Sequence, residues 1–158
     1  MIDLGPFDSL RNREGTEIAV SDWLRVTQER VDAFARATGD DQWIHVDTVR
    51  AAASPFKRTI AHGFLTLSLV STLLRRTVTL PALKMAINYG VNRVRFISPV
   101  PCDARVRARI AVGSVQQIAD AFQVTWAITI ELEGSDKPAA VVEWIVRYYP
   151  VVSGAAET

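Results

Sequence analysis

Asp40 and His45 stand five positions apart in segment 38–47, where turn-forming residues are frequent. A carboxyl group and an imidazole can act together as general acid and base. An imidazole with a pKa of roughly 6.5 can both take and release a proton at neutral pH. The residue types and their spacing therefore predict an acid/base pair in this segment.

Gly63 opens the apolar segment that follows this pair. The first N–H groups of a helix have no carbonyl partner within the helix, and the helix dipole is positive at that end. A residue without a Cβ also lets a substrate oxygen approach closely. We expect the Gly63 N–H to bind a developing negative charge, the alternative being a glycine at a crowded helix start.

Each candidate also has a structural explanation. Asp40 could be a polar residue after a helix end, and His45 could be a histidine with satisfied hydrogen bonds in a loop. Asp41 is expected to be solvated, and Asp47 to cap a short helix. The isolated residues favour these explanations, and only their surroundings reverse the balance for Asp40 and His45.

A metal site is a further alternative, since Asp40, His45, Asp47 and His62 carry oxygen and nitrogen ligands. Their spacing matches none of the common metal motifs, and neither a paired histidine motif on a helix nor a cysteine supports them. We therefore expect no metal. His62 is expected to pack or to form hydrogen bonds beside Gly63, and not to be a second base.

Three segments together resemble the hydratase motif of the MaoC-like dehydratases, the (R)-specific enoyl-CoA hydratases. They are segments 38–47, 59–67 and 88–96. Trp43 follows Gln42 where Asn-Pro is commoner, which resembles the nodulation-protein-N-like branch of that family. The resemblance extends from about residue 17 to residue 149 and so covers most of the chain.

The resemblance implies a reaction and the residues that perform it. The reaction is the reversible hydration of trans-2-enoyl-CoA to (R)-3-hydroxyacyl-CoA, without a cofactor. Asp40 and His45 would be catalytic, and Gly63 would supply the oxyanion site. Two alternatives stay open: an acyl-CoA thioesterase of the same fold, and a non-catalytic subunit that binds acyl thioesters.

Six residues are expected to contact the substrate. Lys57 and Arg58 replace the glycines that this branch commonly has before Gly63, and their charges could bind coenzyme A phosphates. A solvated loop explains them equally well, and strand pairing also explains the last two members of the set. The set is Gln42, Lys57, Arg58, His62, Asn88 and Arg95.

Three helices are predicted around these residues. Thr27 should cap a helix that ends at Gly39, and Asp47 should cap a short helix that ends before Pro55. The helix that begins at Gly63 is apolar around its circumference, so it should be enclosed on nearly all sides.

The second half of the chain alternates apolar and polar residues, which predicts half-buried antiparallel strands. A short strand is expected near 18–24, and turns at Gly113-Ser114 and Gly134-Ser135. Arg105, Arg107 and Arg109 should form a solvent-facing row, with phosphate binding as the alternative. The alternating segments are 105–110, 122–133 and 142–148.

This order of elements predicts an α+β domain in which a sheet wraps one helix. The resemblance names it a hot-dog domain, which pairs with a second copy into a continuous dimeric sheet. A chain of 158 residues suits a single domain over 1–158, with an irregular arm over 1–16 and a flexible tail over 151–158.

Composition bounds the partners and the location. With 49% hydrophobic and only 22% charged residues, part of the surface is expected to be covered by a second copy. A net charge of +1 does not favour nucleic acid or an anionic membrane. Cys102 is the lone cysteine and should be an inert thiol. The N-terminus lacks a signal pattern, so a cytoplasmic protein is expected.

Overall fold

The computed structural model describes residues 1–151 of the 158 and confirms the α+β class. Apart from Val151, the predicted tail lies outside the described residues. The helices are α1 (Phe7–Leu10), α2 (Gln28–Thr38), α3 (Trp43–Val46), α4 (Thr48–Ala52) and α5 (Gly63–Thr77), with a 3₁₀ turn at Arg11–Arg13. The strands are β1 (Ile2–Asp3), β2 (Glu17–Val20), β3 (Leu24–Arg25), β4 (Val78–Thr79), β5 (Leu83–Phe96), β6 (Arg105–Ile118), β7 (Ala121–Leu132) and β8 (Ala140–Pro150).

The main sheet is antiparallel, with the strand order β2-β6-β7-β8-β5, and β3 pairs with β6 beside β2. Alternate side chains of the central strands are buried, as the period of two predicted. Leu65, Leu69 and Leu73 recur every fourth residue of α5 and join these side chains in one core. A long helix against an antiparallel sheet is the arrangement of the predicted hot-dog fold.

The enclosure of α5 is less complete than its sequence predicted. Phe64 is 70% exposed, and Ser68 is exposed on the same helix. The neighbouring edge strand β5 is also exposed along nearly its whole length. A single chain therefore leaves one side of this layer uncovered. Within residues 1–151, every helix is too short or too polar to cross a lipid bilayer.

The prediction of an irregular arm over 1–16 is wrong. Leu4, Phe7 and Leu10 are buried, and α1 forms around them. Phe7 stacks on Phe122 and Tyr148, with ring centroids 5.1 Å and 5.0 Å away. Three apolar side chains at a spacing of three residues bury enough apolar surface to offset the entropy of ordering this segment.

The predicted helix caps are confirmed. Thr27 Oγ1 accepts a hydrogen bond from the Arg30 N–H at 3.3 Å, and Asp47 Oδ1 accepts one from the Arg50 N–H at 2.9 Å. Gly39 ends α2 with φ of 76°, a left-handed conformation that glycine adopts without strain. The short helix α3 was not predicted, because four residues give no readable periodicity.

The turn predicted at Gly113-Ser114 is wrong, since both residues lie inside β6. The register with β7 shifts between Val112 and Ser114, which marks a β-bulge. A Cβ on Gly113 would lie 2.8 Å from the Thr125 carbonyl oxygen, so the partner strand requires glycine there. The actual turn follows Ile118, whereas the turn predicted at Gly134 is confirmed by its φ of 73°.

The arginine row on β6 is paired with carboxylates. Arg109 binds Glu17 through two hydrogen bonds of 2.7 Å and 2.8 Å. Arg105 and Arg107 pair with Glu133 and Glu131 on β7. These pairs confirm the predicted surface row and leave the guanidinium groups engaged with protein carboxylates.

Candidate active site

The acid/base candidates meet where α2, α3 and α5 come together. Gly39 turns the chain after α2 and exposes Asp40, α3 carries His45, and His62 precedes α5. One side-chain ligand atom from each of Asp40, His45 and His62 lies within 4.8 Å of the other two. The carboxylate is exposed, whereas both imidazoles are buried.

Ile60 fixes the orientation of His45. The Ile60 N–H donates to the Ile44 carbonyl at 3.0 Å, and the Ile60 carbonyl lies 2.7 Å from His45 Nδ1. A carbonyl oxygen can only accept, so Nδ1 carries the hydrogen and Nε2 of the neutral ring keeps its lone pair. The imidazole therefore presents a proton acceptor at Nε2.

Burial lowers the pKa of His45 from its ordinary value of 6.5. The hydrogen bond to the Ile60 carbonyl opposes this lowering, His62 adds to it, and Asp40 opposes it. Desolvation dominates because the charged imidazolium loses more hydration than the neutral ring. The neutral form thus persists below pH 6.5.

A polar network supports the backbone of His45. Gln28 Nε2 donates to the His45 carbonyl at 2.8 Å and to Asp32 Oδ1 at 2.7 Å. The Thr59 hydroxyl donates to Gln28 Oε1. Gln28 and Thr59 could not be singled out from the sequence, because contacts across 17 and 31 residues leave no signal in local spacing.

Gly63 begins α5, a helix of 15 residues. Its first N–H groups have no carbonyl partner within the helix and follow directly after His62 of the cluster. A Cβ on Gly63 would lie 2.9 Å from the Phe96 ring, which already occupies that space. Phe96, which the sequence did not single out, therefore fills the space that was expected to admit a substrate oxygen, so the helix start is crowded as the alternative held. The oxyanion role of the Gly63 N–H stays a prediction. The Phe96 ring also meets Phe64 edge-on, with centroids 6.0 Å apart.

The cluster suits proton transfer better than metal binding. The two imidazole rings stack with centroids 3.8 Å apart and planes 25° apart. Nitrogen lone pairs lie in the ring planes, and since the two planes are stacked and nearly parallel, the lone pairs of His45 and His62 do not converge on one ion. Asp47, the fourth ligand considered, instead caps α4.

Among the predicted substrate contacts, His62 lies in the cluster and Gln42 is exposed at the start of α3. Lys57 and Arg58 border a cavity of 390 Å³. Its lining within residues 1–151 includes Gln28 and Thr59, but neither the catalytic candidates nor Gly63. Gln28, which borders this cavity, is also the residue that donates to the His45 carbonyl.

Asn88 and Arg95 lie on β5 but line different cavities. Asn88 borders a 440 Å³ cavity together with α5 and Trp144. Arg95 borders a 770 Å³ groove together with Arg93 and Arg109. The single chain therefore does not bring these two residues to Asp40 and His45.

Comparisons with known proteins show which family the chain resembles. The family described as "MaoC like domain" matches residues 9–133. The 3-hydroxyacyl-thioester dehydratase Z of Mycobacterium tuberculosis (strain ATCC 25618 / H37Rv) is 53% identical over 135 residues, covering 85% of this chain and 89% of that protein. Nodulation protein N of Rhizobium leguminosarum bv. viciae is 44% identical over 139 residues, covering 85% of each. The solved (R)-hydratase of A. caviae is 27% identical, with a TM-score of 0.64 over 82% of this chain and 93% of that one.

Proposed function

The chain belongs to the MaoC-like domain family, and we propose that it is a hydro-lyase that adds water reversibly to trans-2-enoyl-CoA, giving (R)-3-hydroxyacyl-CoA. The observation that carries this proposal is the convergence of Asp40 and His45 beside the N-terminus of α5. The names of the relatives, a 3-hydroxyacyl-thioester dehydratase and an (R)-hydratase, describe this reaction in its two directions.

In the proposed first step, water lies between the Asp40 carboxylate and His45 Nε2. His45 Nε2 takes a proton as the water oxygen bonds to C3 of the enoyl group. The C2–C3 π electrons move toward the thioester carbonyl, whose oxygen becomes negative. The Gly63 N–H and the positive end of α5 stabilise that oxygen.

In the second step, the enolate collapses and C2 takes a proton from the Asp40–His45 pair. The product thus gains a hydroxyl at C3 and a hydrogen at C2, and both catalytic groups return to their starting state. Dehydration follows the same path in reverse, so the same residues serve both directions.

We further propose that Lys57 and Arg58 contact the coenzyme A phosphates, and that Gln42, Asn88 and Arg95 line the substrate passage in a homodimer. The exposed apolar strand β5 and the uncovered side of α5 support the dimer.

The test is an assay with crotonyl-CoA and longer enoyl-CoAs, followed by stereochemical analysis of the product. We expect loss of the enoyl absorbance without release of free thiol, and a 3-hydroxyacyl product of (R) configuration. Thiol release from acyl-CoA would favour a thioesterase instead. Ligand binding without turnover at any chain length would favour a non-catalytic binding subunit.

A further inference from the structure

His62 contacts or adjoins all three proposed catalytic groups. Its Nε2 donates to the Asp40 carbonyl at 2.8 Å, because a carbonyl oxygen can only accept. Its ring stacks on the His45 ring at 3.8 Å between centroids. Its own backbone precedes Gly63, and its carbonyl accepts the Thr66 N–H at 3.0 Å in the first turn of α5.

His62 is buried, so its ring is held in one place and its polar atoms are shielded from water. The residue is 2% exposed, and Phe34 of α2 packs on its ring with centroids 5.0 Å apart. Within residues 1–151, Nδ1 is a buried atom without a hydrogen-bond partner. Within the described part of the chain, the titratable side chains that cluster with the His62 ring are those of Asp40 and His45. A residue used only for packing would not require this buried polar atom, since an apolar ring would fill the same space at lower cost.

We propose that His62 is a positioning residue, whose Nε2–H holds the loop that carries Asp40 in place beside His45. This assignment rests on the proposed function and revises the substrate contact expected from the sequence. The physical reason is that a reacting group displaced by about 1 Å can lose about 100-fold in rate. One side chain thus links the carboxylate, the base and the oxyanion donor.

A matched pair of variants tests the hydrogen bond. In His62→Gln, the amide nitrogen can take the place of Nε2 and donate to the Asp40 carbonyl. In His62→Asn, the same amide is one methylene shorter and cannot reach it. We expect the glutamine variant to keep kcat within about threefold, and the asparagine variant to lose about 30-fold or more with KM within about twofold.

Phe34→Leu serves as the control, since it alters the other face of the His62 ring and removes no hydrogen bond. Its kcat should stay within about twofold of the wild-type value. Thermal denaturation of each variant separates misfolding from mispositioning. Equal kcat values for the glutamine and asparagine variants, both folded, would overturn the proposal.

A second readout does not depend on activity. The chain has two histidines, so in each His62 variant every imidazole NMR signal of tag-free protein comes from His45. In His62→Gln we expect His45 to stay protonated at Nδ1, and its pKa to rise because the opposing imidazole is gone.

In His62→Asn we expect a mixture of His45 tautomers, because the loop that carries Asp40 is released. Unchanged His45 signals in that variant would also overturn the positioning role. A wild-type protein that hydrates no enoyl-CoA would overturn the proposed function, whereas these spectra would still decide the role of His62.

Discussion

At the residue scale, the hydrogen bond from His45 to a backbone carbonyl determines which atom is open to substrate. Because the Ile60 carbonyl takes the Nδ1 hydrogen, Nε2 is the open acceptor. Sequence spacing makes His45 a candidate, but the partner carbonyl lies 15 positions away and has no side-chain signature. The tautomer of His45 could therefore be assigned only once the fold was known.

Asp40→Asn and His45→Gln should each lower kcat for crotonyl-CoA hydration by about 100-fold or more, since a positioned acid or base contributes roughly 10² to 10⁴ in rate. Both substitutions keep the approximate volume of the side chain, so binding should persist. Steady-state kinetics and equilibrium binding of a saturated acyl-CoA would measure the two effects. Near-normal hydration by both variants would contradict the assignment.

The pH dependence of hydration follows from the lowered pKa of His45. The base must be neutral to take a proton from water, and burial extends the neutral form to below pH 6.5. We expect the acid limb of kcat/KM to lie below 6.5, as measured between roughly pH 5 and 8. A limb centred above 6.5 would contradict the role of burial.

The lowered pKa of His45 also makes the stability of the folded chain depend on pH. The unfolded chain binds a proton at a higher pH than the folded His45 does, so acidification through 6.5 favours unfolding. The melting temperature should therefore fall as the pH drops from 6.5 toward the lower folded pKa.

At the scale of elements, the sequence predicted those that carry a local signal. Thr27, Gly39 and Asp47 are caps whose chemistry acts within four residues, and all three were placed correctly. The docked segment 1–16 was missed because its stability comes from Phe122 and Tyr148, more than a hundred residues away. Gly113 was misassigned because glycine serves both turns and bulges.

Gly113→Ala should destabilise the sheet without touching the site. The added Cβ would lie 2.8 Å from the Thr125 carbonyl oxygen, and a backbone atom of a central strand cannot move aside cheaply. We expect a loss of about 1–3 kcal/mol in the free energy of unfolding, measured by urea denaturation. Ser114→Ala, in the same bulge, adds no atom and is the control, expected to change it by about 0.5 kcal/mol or less.

At the scale of the whole molecule, the uncovered strand β5 predicts an assembly. Its apolar side chains include Met85, Ile87, Tyr89 and Val91, each at least 43% exposed. A long apolar edge of this kind is a template for pairing with another chain. Composition predicted that a second copy covers part of the surface. Only the fold shows that the exposed apolar surface lies on β5.

Val91→Lys should therefore break the proposed homodimer, because it places a charge on that apolar strand. The wild-type protein should sediment at about twice the 17.5 kDa of one chain, and the variant at the mass of one chain. Val49→Lys is the control, since Val49 is 82% exposed on α4. A wild-type protein that sediments as one chain would contradict this prediction.

All the proposed catalytic atoms come from residues 40–63, and the long strands supply none of them. The proposed reacting groups and the strands that form the scaffold therefore occupy separate parts of the chain. A duplicated copy could lose activity through changes in that short stretch while its strands still associate with an active sibling. Conversely, strand substitutions outside the proposed substrate passage should change turnover only by shifting the helix ends that carry these atoms.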